Sequence, residues 1–233
     1  MPAWIWPRTT DVSASTLTTR APARPRPAGI NGWLLHPLAK PLLFALSLLP
    51  LAWLVYGAVA NTLGANPAEA LIRSTGDWTL RFLCLTLAIT PLRQWTGWHG
   101  LARLRRMLGL FTYFYVVLHL LCFAWLDQGF DVQAIAKDIA KRPFILVGFA
   151  AFVLLTPLAL TSFNRAIKAL GAARWQALHR LVYAVAALAL LHFFWMRSGK
   201  NDFAEVALYG AILGVLLGAR VVRWARQRKL QAV

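Results

Sequence analysis

Acidic side chains are scarce in this chain: 8 Asp and Glu stand against 25 Lys and Arg, a formal net charge of +17 over 233 residues. Charge of either sign is thin, at 14% against 59% apolar residues, and mean hydropathy is +0.55. A soluble domain does not carry such a surface. Two cysteines, Cys84 and Cys122, make neither a disulfide framework nor a zinc site; both lie in apolar runs, where each reads as a small packing residue. No glycine-rich dinucleotide fingerprint occurs, so no recognisable NADPH site is present. Residues 1–33, rich in Thr, Ser, Pro, Ala and Arg, lack the apolar core of a secretory signal and read as a disordered basic tail.

Long apolar runs are what the chain does have. Segments 41–60, 107–126 and 143–164 contain no Lys, Arg, Asp or Glu, and each approaches the roughly 20 residues that cross about 30 Å of hydrocarbon. Weaker runs at 77–92, 175–196 and 203–219 are shortened or interrupted by Arg81, Arg180 and Glu205. The expectation is an all-α integral membrane protein, a six-helix transmembrane bundle over 34–224 with a basic cytoplasmic tail at 225–233. With both termini cytoplasmic, 18 of the 25 basic residues fall inside, and every acidic residue except Asp11 falls outside. That asymmetry is the positive-inside rule, so the basic character reports topology in a lipid bilayer and no nucleic acid partner is implied. Thr90-Pro91 is expected to end the second span, Thr156-Pro157 to kink the fourth, and 127–142 has room for a short amphipathic helix. Trp53, Trp78, Trp95, Trp98, Trp125, Trp175, Trp195 and Trp224 fall near span ends, as interfacial aromatics do, and need no functional role.

Three of five histidines, His119, His179 and His192, lie in or beside these runs. An intramembrane histidine must have its ring nitrogens satisfied, and several on different helices can share a haem iron. His119 precedes Asp127 by 8 residues and His192 precedes Arg197 by 5, depths of roughly 12 and 8 Å below the same face. His179 lies roughly 27 Å below it. The matched pair His119 and His192 is the expected set of axial ligands of a b-type haem in the outer half of the bilayer; the alternative is that each histidine only hydrogen-bonds a neighbouring helix. On a straight helix His179 and His192 point about 140° apart, so a second haem at His179 requires a kink. Arg105 lies within about 40° of the face of His119 by the same geometry. It suits a haem propionate or a flavin phosphate, or simply belongs to the positive-inside cluster. His36 and His99 read as solvated, with either as the alternative ligand opposite His179.

The segments LGANP (63–67), STG (74–76), ITPL (89–92), RRMLGL (105–110), LH (118–119), KRPFILVG (141–148), LTS (160–162), LG..RWQ.LHRLVY (170–183) and HFFW (192–195) together resemble the MsrQ (YedZ) family, in order over residues 34–222. These are membrane subunits of a bacterial periplasmic methionine sulfoxide reductase system, within the ferric-reductase-like transmembrane group. In that group two helices each carry two haem histidines; the spacing of His179 and His192 fits, and Arg105 departs from the pattern. The resemblance implies an inner-membrane location, haem, and FMN as a further cofactor, for which the cluster Arg105, Arg106 and His179 is the candidate site. It also implies a cytoplasmic-side donor, a flavin reductase or the quinone pool, and a periplasmic molybdenum-containing reductase subunit that repairs methionine sulfoxide in proteins. The chain is then a redox subunit, with no substrate conversion of its own, and the loops 61–76 and 127–142 are candidate docking surfaces.

Two rivals remain at this level. A stand-alone ferric or quinone reductase would turn over without a periplasmic protein. A cofactor-free transporter or scaffold is opposed by the lack of intramembrane acids beyond the edge residues Asp77 and Glu205.

Overall fold

The computed structural model describes residues 29–199 and 201–231; the expected tail up to residue 28 lies outside them. Helices run α1 (Ile30–Leu35), α2 (Ala39–Val59), α3 (Pro67–Thr96), α4 (Arg105–Cys122), α5 (Val132–Lys141), α6 (Pro143–Leu160), α7 (Asn164–His179), α8 (Val182–Ser198) and α9 (Ala204–Gln231). A 3-10 turn, His99–Arg103, leads into α4, and a π-helical turn, Phe123–Asp127, follows it. No strand occurs among the described residues.

Five stretches are long and apolar enough to cross a membrane: Ala39–Val59, Arg105–Asp127, Pro143–Leu160, Asn164–Ser198 and Ala204–Arg228. The protein is a multi-pass membrane protein built of helices. The remaining long helix, α3, is too polar to qualify by composition, yet it is the most enclosed. Leu80, Leu83, Cys84 and Leu87 enter one core with Leu155 and Leu158 of α6, Val185 and Phe193 of α8, and Leu213 and Leu216 of α9. Phe82 and Ile89 enter a second with Leu108, Phe111 and Tyr115 of α4. A helix covered by neighbours need not be apolar toward lipid. Its hydroxyls are satisfied within the helix: Thr75 donates to Leu71 O (2.8 Å), Thr79 to Thr75 O (2.9 Å) and Thr86 to Phe82 O (2.8 Å).

Local chemistry sets the limits of α3. Pro67 occupies the first turn, and Asn66 Oδ1 accepts from the backbone N–H of Glu69 at 3.1 Å. Gly97, at φ 70°, closes the far end with its N–H on Arg93 O. The helix does not end at Pro91 as expected but continues through it to Thr96. The carbonyl that Pro91 cannot bond, that of Leu87, accepts instead from Nη2 of Arg220 on α9. A proline is accommodated inside a membrane helix when a neighbour takes up the freed group.

A related device holds α2. Pro50 lies in its middle. Beside it, the Leu51 N–H donates to the hydroxyl of buried Tyr115 (3.2 Å), which donates to Ser47 O (2.8 Å). A phenol from α4 is thus inserted into one rung of the α2 ladder.

Helix α1 (Ile30–Leu35) overlaps the end of the expected tail at 1–33. α1 is fastened to the turn before α4 by Asn31 Nδ2 to Gly97 O (3.2 Å) and Arg103 Nη1 to Leu35 O (2.6 Å), with Leu34 buried. At the other end α9 runs helically to Gln231, through the expected tail. α5 is the expected amphipathic helix, capped by Asp131, which accepts from Gln133 N (2.8 Å) and Ala134 N (3.0 Å). Trp53, Trp95, Trp125 and Trp224 are exposed as interfacial aromatics should be. Trp78 is not: it packs on Phe82 and Tyr115 beneath the guanidinium of Arg81.

Candidate functional site

His119 comes from α4 and His192 from α8, and the bundle brings their rings to a centroid separation of 6.1 Å with planes 75° apart. Each ring is tethered to a third or fourth helix. His119 Nδ1 lies 2.8 Å from Ile72 O of α3, and His192 Nδ1 lies 2.6 Å from Phe144 O of α6. A carbonyl can only accept, so Nδ1 carries the proton in both rings and the Nε2 lone pair is left for a metal.

The same local device serves both rings. Four residues beyond each accepting carbonyl stands a glycine: Gly76 after Ile72, Gly148 after Phe144. A Cβ at Gly76 would meet Cε1 of His119 at 3.1 Å, and one at Gly148 would meet Nδ1 of His192 at 2.7 Å. The missing side chains make the room in which the imidazoles lie against the helix backbone. Both glycines stand in segments quoted above, STG and KRPFILVG, but their pairing with the histidines could not be read there.

Between α3, α4, α6 and α8 the two rings line one cavity of about 460 Å³. Its wall is mainly apolar, with Leu80, Leu83, Val116, Phe149 and Val185 among the lining side chains. Near the N-terminal end of α3 it becomes polar, where Arg73 and Arg142 line it with Asp77 and Asp127. Two imidazole nitrogens trans across an iron, at about 2 Å each, stand about 4 Å apart and set their ring centres about 6 Å apart. The 6.1 Å between these rings meets that spacing. Among the described residues no group of three or more His, Cys, Asp or Glu converges, so a cluster of protein ligands around a bare ion is not what this arrangement offers.

His179 lies elsewhere. It is the last residue of α7, joined to α8 by Arg180 and Leu181, both helical in φ and ψ, where 3-10 bonds (Leu181 N to Leu178 O and Tyr183 N to Arg180 O, both 3.0 Å) tighten the turn between it and His192. Its ring stacks on Trp175 (3.9 Å, 28°), its Nδ1 faces Trp175 O at 3.0 Å, and its Nε2 is buried with no partner among the described residues. Trp175, read above as a mere interfacial residue, is itself fixed by Nε1 on Thr161 O (2.9 Å). Arg105 lines a second cavity whose wall does not include His179, and Arg106 donates to Asn164 Oδ1 at 2.8 Å. His36 and His99 are exposed.

Residues 75–190 match the family described as ferric reductase like transmembrane component, a span that holds His119 and His179 and ends two residues before His192. A protein of Polaromonas naphthalenivorans named protein-methionine-sulfoxide reductase heme-binding subunit MsrQ is 68% identical over 203 residues, covering 87% of this chain and 93% of that one. Proteins of the same name from Herminiimonas arsenicoxydans and Rhodospirillum rubrum are 56% and 50% identical, over 82% of this chain and 88% and 91% of theirs. No solved structure matches the chain. With two-thirds identity across nearly the full length of such a relative, the chain belongs to the MsrQ family.

Proposed function

We propose that this chain is a six-crossing protein of the bacterial inner membrane with both termini in the cytoplasm. It binds one b-type haem through His119 and His192. It passes electrons from a cytoplasmic-side donor, a flavin reductase or the quinone pool, to a periplasmic molybdenum-containing subunit that reduces methionine sulfoxide in proteins. The observation that carries this reading is the pair of imidazoles 6.1 Å apart across one cavity, each with Nδ1 on a backbone carbonyl. The relatives' printed name, with its haem-binding subunit and its reductase, supports the same reading.

A haem held there supplies a one-electron carrier in a low-dielectric setting. The chain's own residues do the positioning. His119 and His192 offer Nε2 from opposite sides, and the Nδ1–H bonds to Ile72 O and Phe144 O fix tautomer and ring orientation. Gly76 and Gly148 admit the rings, and the apolar wall excludes water. A haem held by both His119 and His192 would serve as an electron carrier and would not bind oxygen.

His179, with its unpartnered buried Nε2, is the residue suited to a second haem. Arg105 suits a propionate or the phosphate of FMN, a cofactor that rests on the family resemblance alone.

Absorption spectra of the purified protein, oxidised and dithionite-reduced, with haem quantified per chain, test this reading. Sharp reduced b-type bands lost in His119→Ala and His192→Ala but kept in His179→Ala are the expected result. Loss in all three makes His179 a ligand too. A folded, colourless wild type after haem supplementation overturns the cytochrome reading.

A further inference from the structure

α3 has the histidine cavity near its N-terminal end. At its C-terminal end a second cavity, of about 560 Å³, opens between α3, α4, α8 and α9. Four arginines line it, Arg105 of α4 and Arg220, Arg223 and Arg226 of α9, and no Asp or Glu does. None of the four is ion-paired among the described residues, where the salt bridges involve Arg73, Arg142 and Arg197. Arg220 is held rigidly: its Nη1 donates to Leu216 O (3.1 Å), its Nη2 to Leu87 O, and its guanidinium stands 5.8 Å from the Tyr183 ring centre. These partners are neutral, so its charge stays uncompensated beside those of its neighbours. Like charges gathered in one wall are stabilised by an anion, and guanidinium groups match phosphate oxygens in a planar fork.

The surroundings favour one source of phosphate. Trp95 and Trp224 share the wall and are 64% and 55% exposed, as aromatics at headgroup level are. Val222 and Ala219 line the same cavity, and with exposed Val215 they form an apolar stripe at helical spacing, leading along α9 toward the middle of the bundle. A polar phosphate pocket opening onto an apolar stripe has the two halves of a phospholipid. Basic pockets between membrane helices recognise anionic headgroups.

We propose that this cavity is a phosphate-binding site, filled in the membrane by the headgroup of an anionic phospholipid with an acyl chain along Val222, Ala219 and Val215. The assignment rests on Arg220, Arg223 and Arg226 and requires no haem, although Arg105, named above for a propionate or flavin phosphate, lines the same cavity. The test uses the full chain in nanodiscs of equal phosphatidylglycerol and phosphatidylcholine, with retained lipid counted by native mass spectrometry. The wild type is expected to keep phosphatidylglycerol over phosphatidylcholine by about tenfold or more, and Arg223→Gln/Arg226→Gln to lose that preference. Both side chains are exposed, so folding is expected to survive, with circular dichroism and elution volume as the check. In lipid-free detergent, inorganic phosphate that saturably raises the melting temperature of the wild type but not of the double variant would assign the pocket to a soluble phosphate compound instead. If lipid preference and phosphate response are both the same in wild type and variant, the cavity is no phosphate site.

Discussion

Gly148 lies against the ring of His192 so closely that a Cβ there would stand 2.7 Å from Nδ1. The carbonyl that the ring bonds belongs to Phe144, one turn earlier on the same helix. Gly76 repeats the arrangement for His119 at 3.1 Å, with Ile72 as the acceptor. Two ligand candidates on different helices are thus set by one local device, used twice.

Gly148→Ala is expected to impair haem retention more than Gly76→Ala, because its Cβ meets the ring at the shorter distance. Overpacking of this kind costs about 1–3 kcal/mol, up to roughly a hundredfold in binding. Haem per chain and the reduced spectrum of each variant measure it. Equal, wild-type haem content in both would remove the steric role assigned to these glycines.

The phenol inserted beside Pro50 has its own signature. Tyr115→Phe takes away a hydroxyl that serves Leu51 N–H and Ser47 C=O in a buried position, and buried backbone groups left without partners cost about 1–3 kcal/mol. The variant is expected to melt several degrees lower in detergent, with its haem spectrum unchanged, since Tyr115 is outside the wall of the histidine cavity. An unchanged melting temperature would mean that the α2 ladder closes on itself.

Pro91 and Arg220 should be energetically coupled. Pro91→Ala restores an N–H that can occupy Leu87 O, so Arg220→Leu should destabilise the wild type by about 1–3 kcal/mol and the Pro91→Ala background by clearly less. A thermal double-mutant cycle reads the coupling, expected at about 0.5–3 kcal/mol. Additive effects would count against the shared carbonyl.

The proposed topology has a direct readout. Alkaline phosphatase fused at Gly129 should be active and at Arg174 inactive, with a fluorescent protein at the C-terminus bright in the cytoplasm. The reverse pattern would invert the membrane orientation and with it the assignment of donor and acceptor sides.

The meeting of His119 and His192 was legible because helical rise converts sequence distance to depth, and two helices running the same way at the same depth meet on one level. Where His179 points was not, because it depends on a tightened 3-10 turn at Arg180 and Leu181 that no proline or glycine marks. The length of α3 was misread for a similar reason. Pro91 announces a helix end locally, and the group that overrides it sits on α9. The polar sequence of α3 also hid its central place, since hydroxyls bonded to their own helix leave it free to be enclosed by neighbours. The glycines were visible only as letters in a motif; what they face belongs to other helices.

The bond between Leu87 and Arg220 spans 133 residues, and α9 is the last helix in chain order among the described residues. During synthesis the carbonyl released by Pro91 is therefore made long before its donor exists. If α3 crosses the membrane as proposed, it carries a backbone carbonyl without its protein partner until α9 emerges and docks. Assembly of the bundle is thereby given a closing step: the first half of the protein waits on the last helix, and a chain that stalls before Arg220 is left with an open seam in the helix at its centre.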